Sequence, residues 1–309
     1  MDWIIKFLLK YKFFVLLLNL TKLIRLPGFE RLPLFDVIKF FYKGIKNGAI
    51  TTRASALAFT FFLALFPAII FFFTMIAYLP IKGFQDQLLL LIKDVLPDDA
   101  YKLAFNTIFD ILKHQHGGLL SIGFFSSIYL STNGINSLIN SFNKSHHYVE
   151  TRKPIQQYIV SLILVFTFAL MVIISITLII FTKNILNDLV PYGVIKKPSI
   201  IIFISIGQWI IICALFFLVI SFLYYLGPAN KNNWRFISAG STLATLLSLL
   251  TTILFSYYVN KFAHYNKVYG SIGTLIVMML WLYFNSMILL IGFELNASID
   301  NAKKKKVKG

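Results

Sequence analysis

The sequence predicts an all-α integral membrane protein: a bundle of six transmembrane helices with amphipathic N-terminal and extracytoplasmic helices. Three observations predict it. Residues are 58% hydrophobic and only 13% charged, where a soluble chain carries about a quarter charged. Apolar runs recur at lengths that can cross a hydrocarbon core of about 30 Å, which needs about 20 residues of helix. The basic residues sit between those runs, not within them. The run Tyr269–Ala297 is the clearest, with no Lys or Arg and one acidic residue, Glu294.

Residues 1–53 read as a basic, amphipathic cytoplasmic or interfacial segment. Phe13–Leu20 is apolar but too short to span, and Pro27 and Pro33 break the helix before them. Leu34, Val37, Ile38, Phe41, Tyr42 and Ile45 then recur at helical spacing, with Asp36, Lys39, Lys43 and Lys46 opposite. Such a helix lies on a membrane surface with its lysines toward anionic head groups, or it packs against the cytoplasmic side of the bundle. No cleaved signal peptide is expected.

The membrane domain covers residues 54–298. Its first span, about 54–79, follows Arg53 and holds Pro67, which kinks the helix or acts as a hinge. Residues 81–117 contain Asp86, Asp94, Asp98, Asp99 and Asp110 and read as two short amphipathic helices over one mouth of the bundle. The second span, about 118–142, is the least hydrophobic. Ser126, Asn133, Asn136, Ser137 and Asn140 fall largely on one of its faces. Further spans are expected at about 157–182, 199–226, 236–260 and 269–298. Residues 299–309 form a lysine-rich cytoplasmic tail.

With six spans both termini share a side. That side collects 20 of the 29 basic residues, and an excess of Lys and Arg marks the cytoplasm. The net charge of +17 is then an orientation signal with lipid head groups as partners, and no nucleic-acid-binding motif accompanies it. If the polar second span were re-entrant, the later loops would swap sides.

Arg53-Ala-Ser-Ala-Leu-Ala-Phe59 with Leu65-Phe66-Pro67 resembles the opening span of the YihY/BrkB family of bacterial inner-membrane proteins. Tyr269-Gly270-Ser271-Ile272-Gly273 leading to Leu280-Trp281-Leu282-Tyr283 is similar to its last span, as is Gly292-Phe293-Glu294-Leu295-Asn296-Ala297. Asn133-Gly134 and Asn143 of the second span also fit. The resemblance runs from about residue 35 to 298. Where the family usually has Pro-Asn after the fourth span, this chain has Pro228-Ala229. The resemblance implies a six-helix, multi-pass inner-membrane protein. The family was formerly mislabelled ribonuclease BN, and transport has been suggested for it.

Each candidate site has two readings. The polar face of the second span lines a transport pathway or supplies hydrogen bonds between helices. Asn285 in the last span has the same two readings, with the hydrogen-bonding one favoured. Glu294 lies at the cytoplasmic boundary and pairs with Arg53, or serves as a proton or substrate site. Gly270 and Gly273 allow close packing of helices. A lone cysteine, Cys213, excludes an internal disulfide and a cysteine-based zinc site. His114, His116, His146 and His147 lack a third ligand at a telling distance, so no metal and no cofactor is expected. No catalytic motif is present, so the chain reads as a transporter or translocator of an unidentified, amphipathic or lipid-like substrate. A membrane scaffold for envelope integrity is the rival reading, and a ribonuclease a remote one. Glycine-bearing faces permit an oligomer.

Overall fold

The computed structural model describes residues 33–47, 49–76, 105, 109, 117–144, 152–189, 198–229, 236–261 and 271–308. Among these the chain is helical, without strands. The helices are α1 (Leu34–Asn47), α2 (Ile50–Ile76), α3 (Gly117–Asn143), α4 (Pro154–Leu189), α5 (Pro198–Leu226), α6 (Ala239–Lys261) and α7 (Ser271–Lys308). The segment 1–32, Gly270, the four loop histidines and all but Phe105 and Phe109 of the expected outer helices lie outside the described residues.

Five helices (α2, α4, α5, α6 and α7) are long and apolar enough to cross a membrane. Their outward side chains are large and apolar, Phe166, Phe203, Trp209 and Ile253 among them, as lipid contact requires. The helix α3 has 27 residues, a length of about 40 Å at 1.5 Å per residue. Its serines, asparagines and glycines keep it out of this set of five.

Helix boundaries follow local chemistry. Helix α6 starts at Ala239, three residues after the expected start, because Ser238 caps it. Ser238 Oγ accepts from the Ser241 amide, and Ser241 Oγ accepts from the Ser238 amide, both at 3.1 Å. This reciprocal pairing has the logic of a capping box. Helix α7 runs ten residues beyond the expected end of the span, so that most of the lysine-rich tail is its continuation. No Pro or Gly interrupts it after Gly292, and Ala and Lys favour helix. Asp300 and Lys304, one turn apart, form an ion pair of 2.6 Å on this extension. Helix α2 passes through Pro67 from Ile50 to Ile76 as one element, leaving the Leu63 carbonyl without its usual amide donor. Between α1 and α2, Ala49 has φ 45°, the left-handed region that costs a residue with a Cβ.

The chain divides into two compact units. One comprises Thr51–Leu138 and Ser248–Met287. Here Ala54, Leu57, Ala58 and Ala64 form the buried edge of α2. Helix α3 comes close to it through glycine. A Cβ on Gly123 would sit 3.1 Å from the Phe71 backbone nitrogen, and one on Gly134 would sit 3.2 Å from the Phe61 ring.

The other unit comprises Met1–Ile50, Ile139–Leu247 and Ile288–Gly309. In it, α4 packs on α5, and the C-terminal half of α7 is the hub. Residues 292–299 are buried on every face of the helix, which is the condition of an element surrounded by protein. Val37 of α1 packs with Leu295, Ile299 and Ala302 of α7, and Phe41, Ala239 and Leu243 close around them. Helix α1 therefore docks on the bundle by one edge, while Ile38, Tyr42 and Ile45 remain exposed.

Candidate functional site

Two polar sets stand out, one enclosed and one open. The enclosed set surrounds the hub of α7. Phe293 stacks face to face on Phe142 of α3, with ring centroids 4.1 Å apart. Tyr224 of α5 meets both rings edge-on, and its hydroxyl donates to the Leu289 carbonyl at 2.6 Å. Asn296 reaches the start of α6: its Oδ1 accepts from the Gly240 amide at 2.8 Å, and its Nδ2 donates to Ser238 Oγ at 2.9 Å. The first amides of a helix have no partner within the helix. Asn296 supplies one from a neighbouring element.

This reach depends on the absence of two side chains. A Cβ on Gly292 would lie 2.5 Å from the Tyr224 hydroxyl, 2.7 Å from the Gly240 carbonyl oxygen and 2.8 Å from Ala244 Cβ. A Cβ on Gly240 would run into the Gly292 carbonyl. Gly240 and Ala244, four residues apart on α6, thus form a small-residue crossing with Gly292, the device that lets membrane helices touch backbones.

Three more hydrogen bonds bring helix ends together in this unit. Arg152, just before α4, donates to the carbonyls of Leu226 and Gly227 at the end of α5. A cation there satisfies orphan carbonyls and opposes the negative end of the helix dipole. Gln157 of α4 donates to Asn140 Oδ1 of α3 at 2.8 Å.

The open set lies on α3. Ile122, Phe125, Tyr129, Asn133, Asn136 and Asn140 recur every three or four residues and so share one face. Ile122, Phe125 and Tyr129 are 68%, 70% and 59% exposed. Asn133 and Asn136 are half-buried, Asn140 is exposed, and Ser126 and Ser137 are half-buried beside the stripe. The opposite face, with Gly123, Ser127, Leu138 and Phe142, is buried. One continuous stripe is therefore apolar at its first half and amide-bearing at its second.

Asn285 is half-buried and donates to the Trp281 carbonyl at 2.9 Å, so this bond stays within its own helix and does not cross to another. Gly273 is buried. Arg53 is half-buried in the first turn of α2, and Glu294 is fully buried. They fall in different units. Among the described residues no three His, Cys, Asp or Glu side chains converge in a way that could hold a metal.

Sequence reasoning missed Gly240, Arg152 and Gln157, and gave Asn296 no partner. The one local signal was the Ser238-Ala-Gly-Ser241 cap at the head of α6.

A family model described as Virulence factor BrkB matches residues 41–309. A Bacillus subtilis (strain 168) protein named putative ribonuclease-like protein YfkH is 30% identical over 253 residues, covering 82% of this chain and 91% of its own. A UPF0761 membrane protein of Psychromonas ingrahamii is 21% identical over 282 residues, covering 88% and 90%. Another from Haemophilus influenzae is 21% identical over 262 residues, covering 84% and 93%. No solved structure matches.

Proposed function

From the premise that this chain belongs to the virulence factor BrkB family, whose relatives here include named membrane proteins, we propose that it is a six-crossing transporter or translocator of an amphipathic substrate. It resides in the bacterial inner membrane with both termini in the cytoplasm. The sixth crossing is α3. The observation that carries the reading is the open stripe of α3. Asn133, Asn136 and Asn140 continue the line of Ile122, Phe125 and Tyr129 and do not point into the buried face. Amides facing hydrocarbon are costly; Asn140 bonds Gln157 of α4, and on this reading Asn133 faces water or a solute. The helix carries no charged residue. Its amides suit an uncharged, hydrogen-bonding head group, and the apolar half suits a tail.

The crossing of α3 is supported by its length and by where its C-terminal end lies. Asn140 and Phe142 gather with the start of α4, the end of α5, the start of α6 and the C-terminal half of α7. Helices that alternate in direction bring their ends together in this way. Arg152, Lys153, Lys303 and Lys304 belong to the same unit, in line with the positive-inside rule.

The test is thiol accessibility. With Cys213 replaced by Ala, single cysteines are placed at Asn133, Asn136, Phe125 and Ile122, and intact cells are treated with a membrane-impermeant thiol reagent. Labelling at 133 and 136 but not at 122 and 125 is expected. Equal protection of all four would remove the aqueous face and with it the transport reading. The second reading, a non-transporting scaffold, draws on the all-round burial of residues 292–299 and would then take over. We assign no enzymatic role. RNA cleavage by the purified protein, lost on a point mutation, would overturn that.

A further inference from the structure

We propose that α1 is an interfacial helix that binds the anionic lipid surface beside the bundle, with its apolar open edge in the acyl boundary and its lysines among the head groups. The inference does not depend on transport. It rests on three sectors that follow one another around α1. At about 100° per residue, Val37 and Phe41 share one edge, Ile45, Ile38 and Tyr42 come next, about 80–140° round from Val37, and Lys39 lies about 200° round. The first edge is fixed against protein, since Val37 is buried and packs with Leu295, Ile299 and Ala302. The second sector is apolar and exposed at all three residues. Lys39, in the third, is exposed, and Lys46 and Lys43 flank it by sequence register, at about 180° and 240°.

A surface helix in water has no reason to place three exposed apolar side chains between its docked edge and its basic edge. A helix at a bilayer boundary has that reason, because protein, acyl chains and head groups meet it in that order. The height of α1 agrees. It docks on α7 at Leu295, Ile299 and Ala302, immediately before Lys303, where the apolar span gives way to the lysine run. That is the level of the membrane–water boundary on a spanning helix. The excess of lysine in both elements selects a surface of negative charge.

The experiment uses the full chain in proteoliposomes, with Cys213 replaced by Ala and a fluorophore on a single cysteine at Ile38, Tyr42 or Lys39. Trace spin-labelled phosphatidylglycerol or phosphatidylcholine is the quencher. The expected result is strong quenching at 38 and 42 and weak quenching at 39. At equal mole fraction, phosphatidylglycerol should quench more than phosphatidylcholine. Replacing Lys39, Lys43 and Lys46 together by Glu should abolish that lipid preference, at roughly a fivefold loss per lysine, and replacement by Arg should keep it. Equal and weak quenching at all three positions would mean that residues 1–32 or a second copy covers the edge, and would overturn the proposal. Quenching that does not distinguish the two lipids would overturn its anionic part.

Discussion

Gly240→Ala should destabilise the protein by about 2 kcal/mol, opposite in sign to what the substitution ordinarily does in a helix. Alanine exceeds glycine in helix propensity by about 1 kcal/mol, and Gly240 gains at most that in the first turn of α6. Against this, the new methyl would strike the Gly292 carbonyl and come within 2.6 Å of the Asn296 side-chain amide. One obstacle is backbone and the other is held by two hydrogen bonds, so α6 and α7 must part. Overpacking of this kind costs about 1–3 kcal/mol, and weakening the Asn296 bond adds about 1 kcal/mol. Gly207→Ala in α5 is the control, because nothing lies within 4 Å of its added Cβ and propensity alone should act. The assay is reversible unfolding in dodecylmaltoside–SDS mixed micelles, followed by circular dichroism. The reasoning fails if Gly240→Ala is as stable as Gly207→Ala. A second arm uses Gly292→Ala, whose methyl meets both the Tyr224 hydroxyl and the Gly240 carbonyl. Adding Tyr224→Phe removes only the first, so it should rescue little. Full rescue would show that backbone approach is not the constraint.

Two further perturbations test neighbouring features in the same assay. Asn296→Ala removes the acceptor for the Gly240 amide and the donor to Ser238, and should cost about 2 kcal/mol, the range of a lost helix cap. A loss under a few tenths would mean that water replaces the amide. Ala49→Gly relieves a left-handed residue at φ 45° and should raise stability by about 1 kcal/mol, while Ala49→Val should lower it. Equal stability of the three would show that the turn relaxes without strain.

Five of the apolar runs were legible because bilayer thickness writes itself into their length, and among the described residues each has a helix long and apolar enough to cross a membrane; the run at about 118–142 is also a helix, α3. Helix α7 continues through Lys308, since lysines end an apolar run without ending a helix. The amide stripe of α3 was legible from its period. The crossing of Gly240 with Gly292 was not, because the partners are far apart in sequence and neither glycine announces which helix it will touch. The two outcomes left open for residues 34–46 also had a physical cause. Periodicity finds an apolar arc but cannot say how much of it meets protein, and among the described side chains α1 docks by the Val37 and Phe41 edge.

The motif at the end of the last span bears on where activity should be sought. Gly292 permits the crossing, Phe293 stacks on Phe142, Leu295 holds α1 and Asn296 caps α6. Each of these residues has a structural task that accounts for its type, and their side chains are enclosed. At these four residues the resemblance reports how the bundle is assembled. The asparagines of α3 are different. Asn140 is engaged by Gln157, and Asn133 sits half-buried on the same stripe, whose other half is Ile122, Phe125 and Tyr129. A substitution series at Asn133 therefore separates function from assembly in a way that one at Gly292 or Asn296 does not.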